Sequence, residues 1–196
     1  MFDLERIAHQ MTMILLKDSP IEAVEKAKVE YGLALVLGLG IEFILTVGVS
    51  LFLGTAVYTA LIMLSSLTLR IFTGGTHCSS FLRCQVFTLV LFIGSSLLIK
   101  NIVWSFELNA LIMASLTLGI IACILIGKHK RSSLVVWILF AILPVVIILV
   151  LKKPHWLIVF ALSSSAGIFL QLLMVSRIGK VIVYKSDQAM QKLGIS

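Results

Sequence analysis

Apolar and polar positions alternate with a helical period at the start of the chain. Leu4, Ile7, Ala8, Met11, Ile14 and Leu15 recur at spacings of three and four, while Asp3, Glu5, Arg6 and Gln10 fall elsewhere around the helix. This predicts an amphipathic helix that lies on a membrane surface or packs on the rest of the protein. Ser19-Pro20-Ile21-Glu22 follows. There Ser19 can cap a second helix, Pro20 suits its first turn and Glu22 completes a capping box. That helix is expected to run directly into an apolar stretch. Apolar runs then cover residues 31–53, 56–69, 84–99, 108–127, 134–151 and 156–176. A spanning helix takes about 20 apolar residues, so six runs predict six transmembrane helices. The second and third runs are short and must borrow residues from the polar segment between them. Pro144 is placed to kink the fifth helix.

Composition narrows the class. Of 196 residues, 60% are hydrophobic and 13% charged, and the mean hydropathy of +1.12 is far above that of a water-soluble domain. The expected fold is an all-α integral membrane protein of one domain spanning 1–196. Residues 1–30 form cytosolic or interfacial helices, 31–176 a six-helix bundle with a cytosolic connector at 70–84, and 177–196 a cytosolic tail. No internal repeat or Gly/Ser linker interrupts this plan.

The net charge of +7 does not imply nucleic acid, because the basic residues sit in small groups between apolar runs. With six spans, thirteen of the 16 Lys and Arg residues lie on the side of the termini and three, Lys100, Lys152 and Lys153, lie opposite. The positive-inside rule then puts both termini and the segment from Arg70 to Arg83 in the cytosol. Acidic residues are scattered through the first 30 positions without an apolar core, so no cleavable signal is expected there. Cys78, Cys84 and Cys123 are an odd set without repeated spacing, which makes a disulfide framework improbable.

One stretch carries chemistry: Arg70-Ile-Phe-Thr-Gly-Gly-Thr-His77-Cys-Ser-Ser-Phe-Leu-Arg-Cys84. It gathers a histidine, two cysteines, adjacent glycines, two arginines and several hydroxyls at one membrane face, and a plain helix connector needs none of these. Cysteine attack on a carbonyl requires a thiolate and a nearby base, which Cys84 and His77 supply. On an unbroken helix they would share a face but stand about 10 Å apart at a rise of ~1.5 Å per residue. Contact therefore demands a bend, and Gly74 and Gly75 make one feasible. Cys84 would then open the next helix, where unpaired N–H groups and the helix dipole favour a thiolate and an oxyanion. Cys78 ranks second as nucleophile because neighbouring helical residues do not face each other. Arg70 and Arg83 either add positive potential or anchor helix ends at the headgroups. His77, Cys78 and Cys84 match no usual zinc spacing. Glu42, the one acid within the first apolar run, could orient His77 or pair with Arg70. Gln171 is expected to bond another helix, and Lys128-His-Lys-Arg131 to act as a topology signal that would also attract an acidic tail.

These residues resemble the accessory gene regulator protein B family (AgrB) of Gram-positive quorum-sensing systems. The likeness rests on Arg70, the Gly74-Gly75-Thr76-His77 turn and Cys84 seven residues on, within a chain of about this length and hydropathy. The resemblance implies a cysteine endopeptidase of the bacterial cell membrane that processes a small AgrD-type propeptide into a cyclic autoinducing peptide. It implies Cys84 as nucleophile and His77 as general base, with Arg70 and Gly75 in support. It implies no cofactor, and it leans toward a homodimer. One departure stands out: the connector at 128–133 is short, whereas many members carry a longer Pro- and Lys-containing segment there. A non-enzymatic transporter or assembly factor is the competing class, and it would call for an intramembrane polar path that Glu42 alone does not make. Proteolysis to a linear product is a further alternative.

Overall fold

The computed structural model describes residues 4–17, 22–107, 110, 111, 113–115, 117, 118, 121 and 155–195. Among the described residues every regular element is a helix. The chain divides into two compact units, Met1–Leu45 and Thr46–Ser196.

The first unit holds α1 (Leu4–Leu15) and most of α2 (Ala23–Phe52). On α1, Ala8 and Thr12 are buried, while Ile7, Met11, Met13, Ile14 and Leu15 stay exposed, as suits a helix that lies in a membrane interface. His9 Nδ1 pairs with Glu30 Oε2 at 3.0 Å, joining α1 to the charged start of α2. At ~1.5 Å per residue, the 30 residues of α2 reach about 45 Å. This exceeds a hydrocarbon core of about 30 Å, so the helix continues from its charged first turns into the apolar run, as its sequence predicts. The capping residues Ser19 and Pro20 lie outside the described residues.

Two helices follow closely. The short second and third runs do gain residues from the segment between them: α3 is Ala56–Thr73 and α4 is Phe81–Ser105. The last described helices are α5 (His155–Val175) and α6 (Arg177–Lys192). Four of these helices, α2 to α5, are long and apolar enough to cross a membrane. The described positions between 110 and 121 are helical; the run at 134–151, Pro144, Cys123 and the basic group at 128–131 lie outside the described residues.

The core of the second unit is the α3–α5 interface. Ile62, Met63, Leu69, Ile158, Leu162 and Ile168 are buried there beside Ser65, Ser66 and the small run Ser163-Ser164-Ser165-Ala166-Gly167. Lipid removes the hydrophobic drive between spanning helices, so small residues that permit close backbone approach hold such pairs together. Gly167 is the closest approach: a methyl group in its place would run into Ser65 Oγ and the Ile62 carbonyl. Residues 177–195, expected as a tail, are mainly the amphipathic α6. Ser176 caps it by accepting from the Gly179 N–H at 3.2 Å, and α6 packs against α4 and α5 through buried Val183 and Met190.

Candidate active site

The connector of residues 74–80 between α3 and α4 is shaped by its glycines. Gly74 ends α3 with φ of +72°, a left-handed conformation that side chains rarely adopt, and returns its N–H to the Arg70 carbonyl at 2.8 Å. Gly75 then leaves room for the Arg70 guanidinium, which a Cβ at that position would meet at 2.7 Å. The freed guanidinium reaches His77, with Nη2 at 3.1 Å from each ring nitrogen. The bend foreseen from Gly74 and Gly75 is therefore present, and its first product is an arginine–histidine contact.

Both ends of the connector are tied to the C-terminal helices. Gln171 Nε2 on α5 donates to the Gly74 carbonyl at 2.7 Å and to Thr73 Oγ1 at 3.1 Å, so this residue does bond across helices as anticipated. Thr76 Oγ1 donates to the Met174 carbonyl at 3.4 Å. At the other end, Ser79 donates both its N–H and its Oγ–H to Asp187 Oδ2 on α6, at 3.3 and 2.7 Å. Arg83 Nε lies 3.1 Å from Asp187 Oδ1.

Cys84 is the fourth residue of α4, and its own N–H is spent on the Ser80 carbonyl at 3.0 Å. The helix-end N–H groups open to an incoming anion are therefore those of the preceding first turn. Cys84 lines a cavity of about 40 Å³ together with Arg70, Gly75, Thr76, Cys78 and Gln171. That volume admits a water or two, so a peptide must lie across its mouth.

The two thiols are neighbours. Both line the same cavity, and burial first, then Cys84 and Asp187, push the Cys78 thiol up to about 12. Cys78 thus keeps its proton at neutral pH. His77 moves the other way: burial first, then the Arg70 charge, hold its pKa below the ordinary 6.5, so the imidazole is neutral at cellular pH. Asp187 sits below the usual carboxylate range, chiefly through the Ser79 hydroxyl bond, and stays ionised.

Residues 8–175 match the family model described as Accessory gene regulator B. The chain belongs to the accessory gene regulator B family. The accessory gene regulator protein B of Staphylococcus lugdunensis is 28% identical over 144 residues, covering 66% of this chain and 75% of that protein. No solved structure matches. Membership implies a role in quorum-sensing peptide processing.

Within this AgrB chain, the connector brings Arg70, Gly75 and His77 together, and Cys78 with Cys84. Among the described residues no hydrogen bond joins His77 to Cys84. Glu42 is buried on α2, in the N-terminal unit. Asp187 and Ser79 were not singled out by sequence reasoning. The available signal was that Asp187 is the sole acid after Glu107, set within a basic helical segment.

Proposed function

We propose that this AgrB protein is a cysteine endopeptidase of the bacterial cell membrane, with six spans, both termini in the cytosol and its active site at the cytosolic face. It cleaves a small AgrD-type propeptide and closes the product into a ring. The observation that carries this reading is Cys84 near the start of α4, lining a cavity beside the glycine-shaped connector that holds a neutral His77.

The chemistry follows from those groups. A guanidinium only donates, so Arg70 occupies a ring lone pair of His77 in the resting site. Peptide entry must free that lone pair and turn the ring toward Cys84. His77 then takes the Cys84 proton, and the thiolate attacks the carbonyl at the end of the future signal. First-turn N–H groups of α4 receive the oxyanion. Collapse breaks the C–N bond, and imidazolium returns the proton to the departing amine of the C-terminal fragment. The acyl group remains on Cys84 as a thioester. A substrate cysteine or serine attacks this thioester, giving a thiolactone or lactone and restoring Cys84. Thioester exchange is nearly balanced in free energy, whereas forming the first thioester from an amide is uphill in water. Release of the fragment draws the sequence forward, and exclusion of water protects the intermediate from hydrolysis.

The test is intact-mass spectrometry of the purified protein in lipid with its propeptide. The expected product is a cleaved peptide one water lighter than its linear form. A product at the linear mass would establish a peptidase without cyclisation, and an untouched propeptide would overturn the enzyme reading in favour of a transporter or assembly factor.

A pH dependence also follows. The base must be neutral, so the acid limb of kcat/KM should fall below pH 6.5. Arg70→Gln should move that limb upward but leave it below 6.5, since burial is the larger cause of the shift. Folding depresses this pKa, so His77 contributes stability that is full above 6.5 and lost as pH falls through the folded value. An acid limb above 6.5 in the wild type would contradict the assigned base.

A further inference from the structure

We propose that Asp187, on the C-terminal helix, is a positioning residue for the catalytic connector: it fixes the start of α4, and hence Cys84, through Ser79 and Arg83. The inference rests on the peptidase reading above. It concerns a helix that begins at Arg177, beyond the residues 8–175 that match the family model.

Three residues close a ring through three hydrogen bonds and one ion pair. Asp187 Oδ2 accepts the Ser79 Oγ–H at 2.7 Å and the Ser79 N–H at 3.3 Å. Asp187 Oδ1 pairs with Arg83 Nε at 3.1 Å. Arg83 Nη2 donates to Ser79 Oγ at 2.7 Å, so that hydroxyl gives one bond and accepts another. The charged side chains are only 10% and 15% exposed, so water competes little for either.

The location gives the ring its meaning. Ser79 lies just before α4 and Arg83 is next to Cys84. Ser80 occupies the cap position of α4 yet makes no side-chain capping bond; the carboxylate from another helix instead holds Ser79, the residue just before the cap, and leaves the first-turn N–H groups free. Asp187 is itself held in place, because Val183 and Met190, about one turn away on either side, are buried, and Ser176 fixes the first turn of α6. Without the carboxylate, Arg83 would be a largely buried cation lacking its counter-ion, and the start of α4 would lose its tether. The ionised state of Asp187 is secured by the Ser79 hydroxyl bond, so the ring persists across the neutral pH range.

The experiment measures kcat and KM for propeptide cleavage by the wild type, Cys84→Ala, Asp187→Asn, Ser79→Ala and the Asp187→Asn/Ser79→Ala double variant, each matched for helix content and membrane insertion. A displaced catalytic group lowers kcat more than KM, so each single change is expected to reduce kcat about tenfold with KM within about twofold. If both act through one bond, the double variant falls no further than the poorer single. Wild-type kcat in Asp187→Asn overturns the inference, as does a loss that multiplies to roughly a hundredfold in the double variant. Should Asp187→Asn fail to insert, Ser79→Ala alone must show the kcat loss, and a wild-type rate there overturns the inference too. An inert wild type instead removes the peptidase reading, and cleavage by Cys84→Ala removes Cys84 as the nucleophile; either result takes this inference with it.

Discussion

Cys84→Ala is expected to lower propeptide cleavage by roughly ten-thousand-fold or more, because the substitution removes the atom that bonds to the substrate and leaves only the residual effect of binding and oxyanion donors. Membrane insertion and helix content should not change. The Cys84 side chain lines a cavity, so little packing is lost with its sulfur. The neighbouring thiol provides the control. Cys78 is held protonated, with its pKa at about 12, and Cys78→Ala should therefore retain cleavage within a few-fold. Cleavage assays on the two variants in lipid decide the matter. If Cys78→Ala is dead and Cys84→Ala alive, the nucleophile is Cys78.

What the sequence made legible is local. Hydropathy and glycine placement located the end of α2, both ends of α3 and the start of α4 to within a few residues, because helix length against bilayer thickness and the bend at Gly74-Gly75 are governed by nearby residues. The same reasoning found the connector, its histidine and its cysteines. It paired His77 with Cys84 as base and thiolate and asked a bend at Gly74-Gly75 to bring them together; the bend is there, and the contact it makes is with Arg70. Once Gly75 admits the Arg70 side chain, the guanidinium takes the imidazole. The ties to Gln171 and Asp187 span 97 and 108 residues. Such contacts depend on how α5 and α6 pack, and no local periodicity encodes them. The packing of the segment from residue 177 is hidden for the same reason. Its polar residues suit solvent, but Val183 and Met190 find a partner surface that only tertiary structure supplies.

Gly167→Val is expected to be the most destabilising single substitution in the α3–α5 pair. The first carbon added would collide with the Ile62 carbonyl and Ser65 Oγ. A backbone carbonyl cannot rotate aside as a long side chain can, so the helices themselves must part. Separation loosens contacts around buried Ile62, Met63, Ile158 and Leu162. Overpacking of this kind costs about 2–3 kcal/mol, which corresponds to a fall of roughly 5–10 °C in the unfolding midpoint for a chain of this size. Activity should fall with it, because α3 carries Arg70 in its last turn and α5 carries Gln171, whose bond to Gly74 fixes the turn. Gly94→Ala is the matched control. That glycine lies within α4 with nothing within 4 Å of the added methyl group, and alanine favours a helix by about 1 kcal/mol. Thermal unfolding followed by circular dichroism in the same lipid should therefore separate the two, with the midpoint lowered in Gly167→Val and unchanged or raised in Gly94→Ala. An unchanged midpoint in Gly167→Val would mean that close backbone approach at this glycine does not hold α3 and α5 together, and the anchoring of the connector would then have to come from the polar contacts at Gln171 and Asp187.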